Sequence, residues 1–179
     1  MINEIKKELR AGMNGILSRR MREAGMPFRL IFGVELPRLQ SIAREFPCDA
    51  SLATSLWQED IRETRLLAIM LMPPEAFDAE TSHAWASVLA TAEEAQIMAM
   101  TLLPRTNHAK ATSISWLKEG KSLPSVCACL CLRHLFVQGT CEPTAEERQN
   151  IEECMAKLLP AANLHLRKAI QALKEALKE

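Results

Sequence analysis

Two stretches decide the fold of this chain: residues 32–46, FGVELPRLQSIAREF, and residues 56–72, LWQEDIRETRLLAIMLM. In the first, Leu36, Leu39, Ile42, Ala43 and Phe46 recur at helical spacing and form one apolar stripe. Pro37 suits the opening turn of that helix, because its ring presets φ and its missing N–H would have no intrahelical partner there. In the second, Asp60 precedes an apolar run, with Glu63 three residues on, an Asp version of the capping box. Pro73 and Pro74 then end the run. Only the stretch leading into the first segment, MPFRLIFGVEL, reads as a candidate for extended backbone, and it is short.

The same punctuation repeats outward. Residues 2–24 carry Ile5, Leu9, Met13, Ile16, Leu17 and Met21 at helical spacing, weakened in the middle by Gly12 and Gly15. Asp49, Asp78, Thr91, Thr144 and Asn163 each stand where a helix N-cap is needed, and Thr91/Glu94 and Thr144/Glu147 have capping-box spacing. Pro104, Gly120 and Gly139 mark helix ends. The result is nine or ten helices joined by short links, which implies antiparallel neighbours packed in pairs. Two architectures fit that rhythm, a bundle or an α-solenoid; no strict sequence period is visible, which argues against a tetratricopeptide-type repeat and leaves degenerate two-helix units open.

Composition agrees. Apolar residues make up 48% of the 179 residues, aromatics only 4%, and Tyr is absent, which argues against a large sheet. The formal net charge is zero, so there is no overall basic surface for nucleic acid. The charge is uneven, however: residues 1–50 hold nine Lys/Arg against six Asp/Glu, and residues 51–100 hold two against eight. Six cysteines without a secretory pattern point to reduced thiols, and no apolar run reaches the length of a membrane span. These readings predict a single domain over 1–179, cytoplasmic and without membrane contact.

The two opening stretches resemble the AlkD-like DNA alkylation-repair proteins. That family's pattern reads Tyr/Phe-Gly-Val-x-x-Pro-x-Leu-Arg-x-Ile-Ala, then Leu-Trp, acidic residues and Glu-x-Arg-x-Leu-Ala. Gly33, Val34, Pro37, Leu39, Ile42, Ala43, Leu56, Trp57, Glu63, Arg65, Leu66 and Ala68 match it. Near the C-terminus LRKAIQAL is similar to the family's closing motif. The resemblance implies an all-α, right-handed solenoid of HEAT-like antiparallel helix pairs whose concave face holds duplex DNA. It also implies hydrolysis of the glycosidic bond of N3- and N7-alkylpurines. A carboxylate there stabilises the developing oxocarbenium charge, and an aromatic wall and an arginine hold the nucleotide.

This sequence departs from the family at those functional positions. The family's carboxylate lies in a helix reading Trp-Asp-x-x-Asp. The corresponding stretch here is TAEEAQIMAMTLL, residues 91–103, and residues 86–115 contain neither Trp nor Asp. The stretch matching the family's arginine helix, SLPSVCACLCL, has no arginine before Arg133. The C-terminal Trp falls at Ala172 or Gln171. Glu94 remains the one weak catalytic candidate, and its spacing from Thr91 is that of a helix cap. Glu93 adds a favourable charge at the same helix start.

Other residues invite function less than packing. Met98 and Met100 suit core filling. Cys127, Cys129 and Cys131 look like a metal string, but on a helix Cys129 points away from the other two and no second half-site exists. The histidines His83, His108, His134 and His165 form no ligand pair, with His108 expected at the surface. Trp57, Trp85 and Trp116 fall on buried helix faces. No cofactor and no metal are expected. The remaining signal is basic: Arg19, Arg20 and Arg22 cluster early, and Arg105, Lys110, Lys118, Lys121, Arg167 and Lys168 are the candidate DNA-binding residues. The sequence thus predicts a non-catalytic solenoid that binds duplex DNA through phosphate contacts on its concave face, or a protein partner there. The rival readings are an active alkylpurine glycosylase and a scaffold without a nucleic-acid role.

Overall fold

A computed structural model of the chain describes residues 1–178. Among these residues there are eleven α-helices and no strand. The extra helix arises because residues 2–24 are two helices, α1 (Ile2–Ala11) and α2 (Gly15–Glu23). Asn14 causes the break: its side chain accepts from Leu17 N and caps a new helix, while its own N–H donates to Phe32 O at 3.0 Å. The chain divides into two compact units, Met1–Ala76 and Phe77–Glu179.

In the first unit α3 (Leu36–Glu45), α4 (Ala50–Trp57) and α5 (Arg62–Leu71) follow. Asp49 caps α4, and its N–H reaches Leu71 O at 3.1 Å, which ties the start of α4 to the end of α5 in an antiparallel pair. The stretch before α3 is not a strand. It makes one isolated parallel bridge, Leu30 to Ile61, and then turns at Gly33, whose φ is +76°. A Cβ there would lie 2.3 Å from Asn14 O and 2.6 Å from Ser18 N, so only glycine lets the two backbones meet.

Glu63 holds this turn in place, which corrects its reading as a helix cap. Ile61, not Asp60, is the N-cap residue of α5, and it has no side-chain cap bond. The buried Glu63 carboxylate instead accepts from Phe32 N at 3.0 Å, Gly33 N at 2.9 Å and Val34 N at 3.3 Å. Arg62, also buried, donates to both Glu63 Oε1 and Val34 O, at 2.9 and 3.0 Å. A buried carboxylate persists only when paired and hydrogen-bonded in this way.

The second unit holds α6 (Ala79–Ser87), α7 (Ala92–Ile97), α8 (Ala109–Glu119), α9 (Ser122–Val137), α10 (Ala145–Leu158) and α11 (Leu164–Ala176). Gly120, left-handed at φ +72°, turns α8 back into α9. Asn163 Nδ2 donates to Ser122 Oγ at 3.1 Å, so α9 and α11 start side by side. Lys110 and Glu147, 2.9 Å apart, do the same for α8 and α10. The unit is therefore built of antiparallel pairs whose equivalent helices run parallel. α9 is packed against α7, α8 and α11. That enclosure buries Cys129 as completely as Cys127 and Cys131, although helical spacing alone would turn it away from them.

α7 does not end at Ile97. It widens into a π-helical turn over Met98–Leu102, with Leu103 N–H returning to Met98 O, and closes in a 3₁₀ turn over Leu103–Arg105. Pro104 accounts for this, because it lacks the N–H that would have returned to Met100 O and its ring crowds that carbonyl.

Candidate functional site

The stretch 91–103 carries the candidate catalytic carboxylate, and the structure gives Glu94 a structural role. Thr91 Oγ1 accepts from Glu94 N at 3.2 Å. Glu94 Oε2 accepts from Ala90 N at 2.7 Å and Thr91 N at 3.0 Å. This is a complete capping box, and the residue is 0% exposed. A carboxylate so enclosed satisfies helix amides and presents no oxygen to a sugar in solvent. Of the neighbouring π turn, Met98, Ala99 and Leu102 are buried, while Met100 is 54% exposed.

The six basic candidates lie at both ends of α8 and on α11. Arg105 is exposed on the 3₁₀ turn before α8, and Lys110 lies in the first turn of α8. Lys110 is already engaged, donating to Glu147 Oε2 at 2.9 Å. Lys118 and Lys121 are exposed at the other end of α8, with Lys121 3.7 Å from Glu119. An eleven-residue helix spans about 16 Å, which separates the two groups. Arg167 and Lys168 are exposed on α11, whose start lies beside that of α9, so Arg167 shares an end of the unit with Lys121. Arg167 Nε donates to Ala162 O at 2.9 Å, which fixes its direction. Lys118 also lines a shallow cleft of about 350 Å³ with Lys157, Glu153 and Asn150.

The tryptophans are core. Trp57 is 6% exposed and carries the Arg65 guanidinium 3.8 Å above its ring; Trp85 packs edge-on against Phe77 at 5.3 Å. Trp116 is 1% exposed. His108 is not the surface histidine that TNHAK suggested. Its Nε2 lies 2.8 Å from Phe77 O, and its Nδ1 2.9 Å from Thr112 Oγ1. A carbonyl only accepts, so Nε2 carries the proton and Nδ1 accepts from the threonine in the neutral ring. Burial pushes the Cys129 and Cys131 thiols up to about 12, and Cys127 well above its ordinary value. Thiols held so far from ionisation are poor nucleophiles and poor metal ligands. Among the described residues no three His, Cys, Asp or Glu side chains come together as a metal site, and no helix is long and apolar enough to cross a membrane.

The sequence signature described as DNA alkylation repair enzyme matches residues 5–179. No curated protein matches the chain. Among solved structures, one chain superposes with a TM-score of 0.81 at 15% identity, over 98% of this chain and 74% of its own. It comes from work describing a new family of proteins related to the HEAT-like repeat DNA glycosylases, with affinity for branched DNA structures. At that identity the likeness is one of fold, and it makes the stacked helix pairs a HEAT-like repeat solenoid.

Proposed function

The chain belongs to the DNA alkylation repair enzyme family, and on that premise we propose that it is a member that binds DNA without excising bases. The observation that carries this reading is Glu94, fully enclosed in its capping box on the helix where the family resemblance implies a catalytic carboxylate. Loss of one electrostatic stabiliser costs a site of this kind about 10²–10³ in rate. The resemblance also implies an arginine and a tryptophan that this sequence lacks. A solenoid that keeps the fold and loses the chemistry retains a surface, and affinity for branched DNA in the structurally similar protein supports a shape-directed DNA ligand.

Arg105, Lys118, Lys121, Arg167 and Lys168 would supply phosphate contacts, with Lys110 contributing less because Glu147 already meets its charge. Binding through phosphates alone is steeply salt-dependent. The test is a pair of assays on the purified chain. Alkylated duplex should release no N3-methyladenine or N7-methylguanine above background, and a four-way junction should bind more tightly than linear duplex of the same sequence. Base release that vanishes in Glu94→Gln but persists in Glu93→Gln would make the protein a glycosylase. Absence of any DNA binding at low salt would leave a protein-binding scaffold as the better reading.

A further inference from the structure

We infer that α2 is a second DNA-gripping element, placing an apolar wedge between two arginines against the branch point; this rests on the DNA-binding reading above. α2 fully buries only Ser18, yet a helix of nine residues is marginal without a packed face. What holds it is a chain of backbone clamps. Ser18 Oγ donates to Ile31 O at 2.6 Å and accepts from Arg22 Nη1 at 2.8 Å. Asn14 N–H donates to Phe32 O, and Gly33 packs directly on Asn14 O and Ser18 N. Glu63 in turn fixes residues 32–34 through three amide bonds. The segment that carries the family resemblance therefore positions an exposed helix.

The outward face of that helix has a specific chemistry. Ile16 is 71% exposed and Met13, just before the helix, 60%. Arg19 and Arg20 follow Ile16 at three and four residues, so they share its face. Single exposed hydrophobics are ordinary on a protein surface. An exposed isoleucine on a clamped helix, flanked by two guanidinium groups, is the arrangement of a minor-groove or branch-point reader. In such readers arginines take phosphates and an apolar side chain packs on the open face of an unstacked base pair. Arg19 now pairs with Glu23 at 2.7 Å with both side chains largely exposed, a contact weak enough for a phosphate to displace. A branch point exposes base-pair faces that linear duplex keeps stacked, so the wedge favours the branched form.

The experiment measures fluorescence anisotropy of the full chain with a four-way junction and with linear duplex, over a range of salt. Arg19→Ala with Arg20→Ala should weaken both by about an order of magnitude and lower the slope of log affinity against log salt by about two. Ile16→Ala should remove most of the preference for the junction while leaving duplex affinity within about twofold, since a lone apolar side chain adds little on a stacked helix. Lys178→Ala removes one exposed charge just past the end of α11 and should change neither. Wild-type binding that is unchanged in both α2 variants, or weakened equally by Lys178→Ala, would overturn the inference and leave the DNA-binding reading standing. A wild-type chain that binds neither DNA would remove both.

Discussion

At the scale of single residues, two positions shared with the family, Gly33 and Glu63, hold backbone together. Gly33 meets the backbone of α2 at a distance no Cβ tolerates, and does so at positive φ. Gly33→Ala therefore combines left-handed strain with a clash against two backbone atoms. It should cost about 3 kcal/mol or more, read as a lower denaturation midpoint at unchanged m-value. A loss below about 1 kcal/mol would mean that α2 moves away freely and is not clamped. In the sequence Gly33 was legible only as part of the family pattern, inside a stretch that reads as extended; the backbone it touches, at Asn14 and Ser18, was not legible. Glu63 shows the same limit. Its spacing from Asp60 matches a capping box, and nothing local reveals that three amides thirty residues upstream compete for its carboxylate and win.

At the scale of helices, local chemistry was read well wherever it stayed local. Asp49, Asp78, Thr91, Thr144 and Asn163 all cap the helices they precede, because an N-cap bond spans three residues and needs no tertiary partner. Two of these caps carry a pH dependence. Glu147 sits below its ordinary value of 4.5, chiefly through the Thr144 N–H and then the Lys110 ammonium; Asp78 sits below 3.8 through the Thr81 N–H and hydroxyl. A depressed carboxyl stabilises the fold above its unfolded value, and that contribution fades as pH falls through the folded value. The starts of α6 and α10 should therefore loosen below about pH 4 while neutral pH leaves them intact. NMR titration should place Glu147 below 4.5, and Lys110→Ala should move it upward. An unmoved titration would show that this ion pair carries no weight. His108 escaped the sequence reading for the opposite reason, since its carbonyl partner lies 31 positions away.

At the scale of the molecule, helix rhythm and short links leave a bundle or a solenoid, the family resemblance implies the solenoid, and the fold likeness bears that out. Placement of the basic side chains was not legible. Charge spacing along a chain does not reveal which end of a helix pair a residue occupies, and here Arg105 and Lys121 fall at opposite ends of α8. Whether the two compact units unfold as one domain is a measurable question. The family signature runs through both, as does the fold likeness, so one cooperative transition is expected. Variants keeping only Trp57 in the first unit, or only Trp85 in the second, should melt at the same temperature by fluorescence as the helical signal does by circular dichroism. Separate midpoints would divide the chain into two domains.

The π turn at Met98–Leu102 bears on how this chain is compared with others. Closing a turn over five residues where an α-helix uses four accommodates one additional amino acid without breaking the helix. Positions before and after the turn then obey different numbering offsets against any relative with an unbroken helix. An alignment drawn straight through 91–103 pairs side chains correctly on one side of Met98 and rotates them by about 100° on the other. Functional positions carried over from such relatives have to be transferred by superposed backbone here, with an unmatched residue assigned to the turn itself.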